Sequence, residues 1–193
     1  MDQDDSASAH DMLADAVHVL DRAGDEHLIG LCLEQRARTY MHDGRPADAE
    51  QLAERGLRIF ERVGYAEGAV AALQTLGSAR LAAGDGAEAA RLLADATRRA
   101  LDLGHAPAIA EGMDLLAEAA ALADPEAAAR LAGHADALRR RTGLALTKAH
   151  KRRREQWEAR LRESLADRWE RERARGAEAP AVDLLCAVLT AAA

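Results

Sequence analysis

The sequence predicts an all-α fold, a right-handed α-solenoid of antiparallel helix pairs that ends in a long charged capping helix. Hydrophobic residues make up 49% of the 193 residues but aromatic residues only 3%, so the core must consist mainly of alanine, leucine and valine. Alanine is the best helix former. No long alternation of β-branched and polar residues, the pattern typical of strands, occurs in the chain. Small and apolar positions instead recur at long range, which indicates a repeat.

The repeat has a period of about forty residues. Small and apolar residues coincide when the sequence is aligned with itself at this offset, namely Gly44 with Gly84, Ala49 with Ala89, Leu52 with Leu92 and Gly64 with Gly104. Each unit is interpreted as two helices joined by a tight turn. In the clearest unit Gly84 and Gly86 flank the turn, where glycine tolerates the left-handed conformation that ends a helix. Asp85 is expected to cap the helix that follows.

The elements are predicted in the following order. Residues 1–7 form a disordered or frayed N-terminus, and residues 8–23 form an unpaired helix, either because the chain is cut from a longer array, which we favour, or because this helix is a degenerate cap. Three helix pairs follow at 27–64, 67–104 and 107–143, and they complete a repeat region spanning 8–143. The segment 144–193 contains a long charged helix at 148–175 and a short apolar helix at 181–191, which cover the open end of the array.

The long charged helix carries a narrow apolar stripe at four-residue steps, formed by Trp157, Leu161, Leu165 and Trp169. Such a stripe on a highly charged helix favours packing against one apolar partner surface. We expect the stripe to cap the repeat region of a monomer. The alternative is a homodimer formed through residues 148–175.

Several positions of the second pair resemble the tetratricopeptide repeat. Residues of the size and type that this motif favours are Leu73, Leu76, Gly77, Ala79, Gly84, Asp85, Ala89, Leu93 and Ala96. Two positions depart from the motif, because Arg80 replaces the usual aromatic residue and Arg36 the usual leucine. The period is also about six residues longer than that of the standard unit. The resemblance implies a helical-repeat domain used for protein–protein interaction.

A second resemblance concerns the C-terminal part of the chain. The passage "ADPEAAARLAGHADALRRRTG", a charged helix containing tryptophan and the passage "AVDLLCAVL" follow one another in this order. They are similar to the C-terminal helical-repeat region of actinobacterial LuxR-type and SARP-type transcriptional regulators. This resemblance implies a non-catalytic recognition or sensor module of a bacterial transcriptional regulator, which binds a peptide, protein or effector in a concave groove or contacts other domains of the regulator. The alternatives are a stand-alone adaptor or scaffold protein outside transcription, and a small-molecule-binding enzyme or enzyme subunit.

The sequence predicts no catalytic residue, no cofactor and no metal site. Gly84 and Gly86 lack the third glycine and the Lys-Ser/Thr of a phosphate-binding loop. The seven histidines do not show metal-ligand spacing. Nucleic-acid binding and membrane insertion are disfavoured, because the net charge is −7 and no run of eighteen apolar residues occurs. An acidic start without an apolar region and two distant cysteines, Cys32 and Cys186, favour a cytoplasmic protein with reduced thiols.

Two sets of residues are candidates for partner binding. The resemblance to tetratricopeptide repeats implies a groove lined by Leu31, Glu34, Arg38, Met41, His42, Gln74, Ser78, Leu81, Glu111, Asp114 and Glu118. The second set is a basic patch that consists of Arg139, Arg140, Arg141, Lys148, Lys151, Arg152, Arg153 and Arg154. Cations near the start of a helix oppose its dipole and call for a compensating anion. That anion is either Glu155 and Glu158 downstream, the acidic end of the groove, an acidic partner, or a phosphate backbone.

Overall fold

The computed structural model describes residues 3–191, and the side chains of residues 3–5, 149, 190 and 191 are outside that description. In this part of the chain every regular element is an α-helix, which confirms the predicted all-α class. In chain order the helices are α1 (Gln3–Ala23), α2 (Glu26–His42), α3 (Pro46–Val63), α4 (Ala66–Ala82), α5 (Gly86–Asp102), α6 (Ala106–Ala120), α7 (Pro125–Thr142), α8 (Lys148–Leu165), α9 (Arg168–Glu178) and α10 (Ala181–Ala191). Among the described residues, no helix combines the length and the apolar character needed to cross a bilayer.

The helix ends follow the predicted turn chemistry. Gly64 ends α3 with φ of 72°, in the left-handed region where a side chain is disfavoured, and the amide of Tyr65 then donates to the carbonyl of Phe60. Positive φ recurs at a constant interval along the chain, at Gly24, Gly44, Gly64, Gly84 and Gly104. Asp85 accepts a hydrogen bond from the amide of Glu88, which confirms its expected capping role. The turns therefore recur along the chain, as do the small and apolar positions of the sequence.

The chain divides into two compact units, Met1–Leu92 and Leu93–Ala193, with the boundary inside α5. The predicted boundaries lie after residue 7 and after residue 143, the latter between the repeats and the cap. The contacts between helices place the last predicted helix pair, 107–143, in the same unit as the C-terminal helices.

In the first unit α1 packs on α2, α2 on α3 and α4, and α3 on α4. The core depends on small residues, and both Ala49 and Ala53 of α3 are fully buried. The single phenylalanine, Phe60, lies between Gly30 of α2 and Gly68 of α4. A Cβ atom at either glycine would lie 2.6 Å from the Phe60 ring. Two glycines thus make the space for the fully buried ring of Phe60.

Helix α1 begins earlier than predicted. The frayed segment expected at residues 1–7 is helical from Gln3, while residues 1 and 2 lie outside the described residues. The reason is a polar anchor at the end of α2, where Asp43 accepts hydrogen bonds from Ser6 and His10. These contacts lower the pKa of the Asp43 carboxyl, first through the Ser6 hydroxyl and then through His10.

In the second unit α7 is the central helix and packs against α6, α8, α9 and α10. The closest contact is the crossing of α7 and α9, where Gly133 and Gly176 allow the two backbones to meet. A Cβ atom at Gly133 would lie 2.0 Å from the carbonyl oxygen of Arg173, and one at Gly176 would lie 1.8 Å from that of Arg130. Only glycine fits at these positions.

The predicted long helix at 148–175 is wrong, because the chain bends between α8 and α9. Ala166 adopts φ 46° and ψ −121°, a conformation that costs a residue with a side chain about 1–3 kcal/mol. The bend sends α9 in a new direction, and this direction allows the close crossing at Gly133 and Gly176. The predicted stripe is shared between the two helices, with Trp157, Leu161 and Leu165 on α8 and Trp169 on α9. All four side chains are buried within one chain, which supports the capping interpretation.

We expect Gly176→Ala to lower the free energy of unfolding by at least about 1–3 kcal/mol, because the added methyl group would overlap the backbone of α7. The matched control is Gly86→Ala, since nothing lies within 4 Å of a Cβ atom at that helical position. There alanine should stabilise the helix by about 0.5–1 kcal/mol. Urea denaturation followed by circular dichroism measures both changes. Equal stability of the two variants would contradict the close crossing.

Candidate functional site

The predicted groove residues of the first unit do not form a uniformly open surface. Leu31 and His42 are exposed, and Arg38, Met41 and Leu81 are half-buried. Glu34, Gln74 and Ser78 are buried, with relative exposures of 8%, 5% and 7%. Glu34 accepts a hydrogen bond from Thr75 Oγ1 at 3.2 Å, and Met41 packs against the core around Ala37. The resemblance implied that Glu34, Gln74 and Ser78 line the groove, but the structure buries them inside the unit.

One exposed stripe does remain on α2. Leu28, Leu31, Gln35 and His42 are exposed and Arg38 is half-buried, at steps of three and four residues. This spacing places them on one face of the helix. Leu28 and Leu31 retain 41% and 37% of their accessible surface, which is high for leucine. We call these five residues the α2 stripe.

The predicted groove residues of the second unit are covered by the chain itself. Glu111, Asp114 and Glu118 lie on α6, and side chains of α8 reach all three. His150 lies 3.5 Å from Glu111, Arg154 lies 3.3 Å from Asp114, and Arg153 Nε donates to Glu118 at 2.6 Å. The acidic end of the expected groove is therefore occupied by the first turns of α8.

The basic patch separates into inward-facing and outward-facing residues. Arg139, Arg153 and Arg154 form ion pairs with carboxylates of α6 and α7. Among the alternatives for the compensating anion, the acidic end of the groove contacts all three arginines, and downstream Glu158 also pairs with Arg154. The remaining members are exposed, namely Arg140, Arg141, Lys148, Lys151 and Arg152. Lys151 reaches Glu155 only at 4.0 Å.

Arg154 is the centre of the inward set, with 6% relative exposure. Its terminal nitrogens donate to both carboxylate oxygens of Asp136, at 2.6 and 2.8 Å, and its Nε donates to Glu158. Asp136 also accepts from Arg173 on α9. A bidentate pair of this kind is stronger and more directional than a single charged hydrogen bond. The Arg154 guanidinium group thus joins α8 to α6 and α7, and the guanidinium group of Arg173 adds α9 to the cluster through Asp136.

The pKa values of this cluster follow from burial and neighbouring charge. Burial opposes ionisation of Asp136, but the guanidinium groups of Arg154 and Arg173 outweigh it and lower its pKa. Burial raises the pKa of Asp114, against the effect of Arg154 and Arg139. Burial also opposes the charge on Arg154, yet Asp114, Asp136 and Glu158 raise its pKa. Arg154 therefore stays charged, and its removal would leave Asp114 paired with Arg139 and Asp136 paired with Arg173.

Sequence reasoning did not find Asp136 or Arg173. Asp136 lies inside α7, one turn before the arginines of the basic patch. Arg173 reaches it only because the chain bends at Ala166, where the sequence predicts a continuous helix. The available signal was a carboxylate in the interior of a largely alanine helix, three residues before Arg139. Such a carboxylate calls for a partner when its helix is buried.

A cavity of about 460 Å³ opens beside this cluster. Its wall is formed by α7, α8 and α9 and by Leu146 of the connection between α7 and α8. The cationic side chains that line it are Lys151, Arg154, Arg162 and Arg173. The carboxylates that line it are Asp136, Glu155 and Glu158. This volume lies within the range of small-molecule sites, about 300–1,000 Å³, although the lining is charged rather than apolar.

His134 is a buried titratable group outside the cavity, on the face of α7 that meets α9 and α10. Its Nδ1 lies 3.1 Å from the carbonyl oxygen of Ala179. Desolvation lowers the pKa of this imidazole, and the positive charge of Arg141 adds to the effect. The neutral ring therefore fits this position as a hydrogen-bond donor to the backbone.

Three further groups lie outside the charged cluster and the cavity. His105 accepts a hydrogen bond from the amide of Ala108 and so caps α6. Among the residues described, no group of three or more His, Cys, Asp and Glu side chains is placed to hold a metal ion. Cys32 is half-buried and Cys186 is exposed on α10.

Comparison of the chain with protein-family models, with curated protein sequences and with solved structures finds no match. The resemblances to tetratricopeptide repeats and to LuxR-type and SARP-type regulators thus stay predictions from the sequence.

We expect Arg154→Met to destabilise the protein by about 1–3 kcal/mol, because Asp136 and Asp114 each lose a charged partner and keep only the contacts with Arg173 and Arg139. Arg152→Met is the control, since Arg152 is exposed on the same helix and carries the same charge. The free energies of unfolding in urea give both values. A loss of less than 1 kcal/mol for Arg154→Met, similar to the control, would show that the cluster does not hold α8 in place.

His134 should make the protein less stable in mild acid. Its pKa is lowered on folding from the ordinary value of 6.5, so the unfolded chain takes up a proton at this site more readily than the folded one. The contribution of the neutral His134 imidazole to the free energy of unfolding is complete above pH 6.5. It is lost as the pH falls from there through the lower pKa of the folded state. Urea unfolding between pH 5 and 8 should show this decline, and His134→Gln should reduce its slope. An unchanged slope in the variant would place the titration elsewhere.

Proposed function

We propose that the chain is a non-catalytic recognition module of a bacterial transcriptional regulator, which binds a peptide or protein partner along its repeat helices. The observation that carries the proposal is the α2 stripe. Exposed leucine and histidine side chains and a half-buried arginine share one face of a regular helix, on a unit whose other helices bury alanine and leucine. Aromatic, apolar and arginine side chains on a rigid helix are the groups that commonly anchor a partner.

The repeat-like organisation supports this role. Regular turns at constant intervals hold successive helices in a fixed order, and such arrays typically bind partners along an extended surface. The link to transcription rests on the sequence resemblance of residues 123–143 and of the helices that follow. A stand-alone adaptor outside transcription is the alternative with the same surface chemistry.

The ion pairs of the second unit limit where a partner can bind. Because α8 covers Glu111, Asp114 and Glu118, a peptide partner cannot use these carboxylates without displacing α8. The proposed protein-binding surface is therefore the α2 stripe rather than the full set of groove residues implied by the resemblance. An enzyme that shelters its substrate would instead need an enclosed apolar pocket with a few convergent polar groups.

The test is affinity capture from a lysate of the source organism with the tagged full chain, read by quantitative mass spectrometry. In one variant, Leu31→Glu with Arg38→Glu, the α2 stripe is changed. In the control, Gln51→Glu with Arg55→Glu, the same charge change is made at exposed positions of α3. We expect a partner that the control retains and that the α2 variant loses by about tenfold, the effect of one lost anchor of about 1.4 kcal/mol.

The identity of the captured protein separates the two functions. A DNA-binding protein or the remaining domains of a regulator support a role in transcription, and enrichment of other protein classes alone favours the adaptor. If the α2 variant retains every protein that the unmodified chain captures, the α2 stripe is not the recognition surface.

A further inference from the structure

The charged cavity beside Arg154 has a surplus of hydrogen-bond donors. Two of its three carboxylates are already engaged by arginines of the wall. Asp136 uses both oxygens to bind Arg154 and also accepts from Arg173. Glu158 accepts from Arg154 through one oxygen and from Arg162 through the other. These carboxylates hold the wall together and have little accepting capacity left for a ligand.

The cations at the mouth of the cavity are less engaged. A guanidinium group carries five N–H donors and an ammonium group carries three. Arg162 makes one long hydrogen bond to Glu158, at 3.3 Å, and Lys151 reaches Glu155 only at 4.0 Å. Arg173 donates to Asp136 and Glu170 through its terminal nitrogens, and its buried Nε has no hydrogen-bond partner among the described residues. Unused N–H donors of Lys151 and Arg162 on α8 therefore line the cavity, and the guanidinium group of Arg173 on α9 lines it beside them.

Two of these side chains lie beside an aromatic ring. The guanidinium groups of Arg162 and Arg173 lie over the ring of buried Trp169, at 5.6 and 5.3 Å from its centroid. This contact favours particular orientations of the two guanidinium groups, and a ligand then loses less free energy in ordering them. The formal charge of the lining is also positive, with four cations against three carboxylates, although the whole chain carries −7.

We propose that this cavity binds a small multivalent oxyanion, of the kind presented by a diphosphate or a phosphate ester. Such a ligand offers several acceptor oxygens to the donors of Lys151, Arg162 and Arg173, and it needs no donor of its own. The volume of about 460 Å³ accommodates more than a single phosphate group. The inference rests on the proposed function only in that the oxyanion would be the effector of the recognition module.

The position of the site gives it a mechanical effect. Lys151 and Arg162 belong to α8, Arg173 belongs to α9, and the strained residue Ala166 lies between the two helices. An anion bound to all three side chains would link α8 to α9 across this bend. Because the ligand would bind only the folded arrangement, it should raise the melting temperature in proportion to the logarithm of its concentration.

The experiment is isothermal titration calorimetry of the full chain with inorganic pyrophosphate, and in parallel with citrate, in a phosphate-free buffer of low ionic strength. The site variant is Lys151→Gln with Arg162→Gln. The control is Lys148→Gln with Arg160→Gln, which removes the same charge from exposed positions of the same helix outside the cavity. We expect the site variant to weaken pyrophosphate binding by at least about tenfold and the control by less than about twofold.

A second variant distinguishes loss of the binding site from loss of folding. Glu155→Gln removes the carboxylate at the cavity that is not engaged by an arginine, and it should tighten pyrophosphate binding by a few-fold. Stronger binding of pyrophosphate than of citrate identifies a phosphate site, and the reverse identifies a carboxylate site, both of which support an oxyanion ligand.

The proposal is overturned if the unmodified chain binds neither probe at millimolar concentration. It is also overturned if the site variant and the control lose affinity equally, because attraction would then come from net charge alone. The α2 variant described above should bind pyrophosphate normally. Failure of partner capture and failure of anion binding are therefore separate results.

Discussion

The close approach of helices is the constraint on which both units depend. A chain with so few aromatic residues cannot fill wide gaps between helices, so its helices must meet at alanine and glycine. Ala49 and Ala53 do this in the first unit, and Gly133 and Gly176 do it in the second. Where a large ring is present, as at Phe60, glycines of two neighbouring helices make room for it.

Helix α8 is attached by different means. Its residues are mostly charged, and it is held by long side chains, with Trp157 packing inward and Arg153 and Arg154 reaching the carboxylates of α6 and α7. Burying a charged group is unfavourable unless every charge has a partner of good geometry. The bidentate pair of Arg154 with Asp136 meets this requirement, and the second contact to Glu158 completes it. The same arrangement leaves a charged cavity beside the helix, since arginine side chains span a distance that apolar side chains would fill.

Most of the fold follows from local sequence signals. The turn glycines and the capping side chains of Asp85, His105 and Asp124 all appear in the structure where local propensity places them. The bend at Ala166 could not be predicted in this way, because alanine favours the continuous helix. It accompanies the crossing at Gly133 and Gly176, which joins residues that are distant in the sequence.

In the candidate sites too, some features follow from the local sequence and others depend on how the helices pack. The opposition between the basic residues at 153–154 and the acidic residues at Glu111 and Glu118 is visible in the charge pattern. The contributions of Asp136 and Arg173 depend on how α7 and α9 cross. Burial of Glu34, Gln74 and Ser78 is likewise a tertiary effect, since nothing in their local sequence separates them from exposed neighbours.

The polar anchor at Asp43 has a consequence for how the N-terminal part of the chain unfolds. One carboxylate at the end of α2 binds both Ser6 and His10. The first turns of α1 and the connection between α2 and α3 are therefore held by the same two contacts. Opening of either segment removes the partners of the other. Amide protons at these two places, more than thirty residues apart, should therefore exchange with solvent as one cooperative unit.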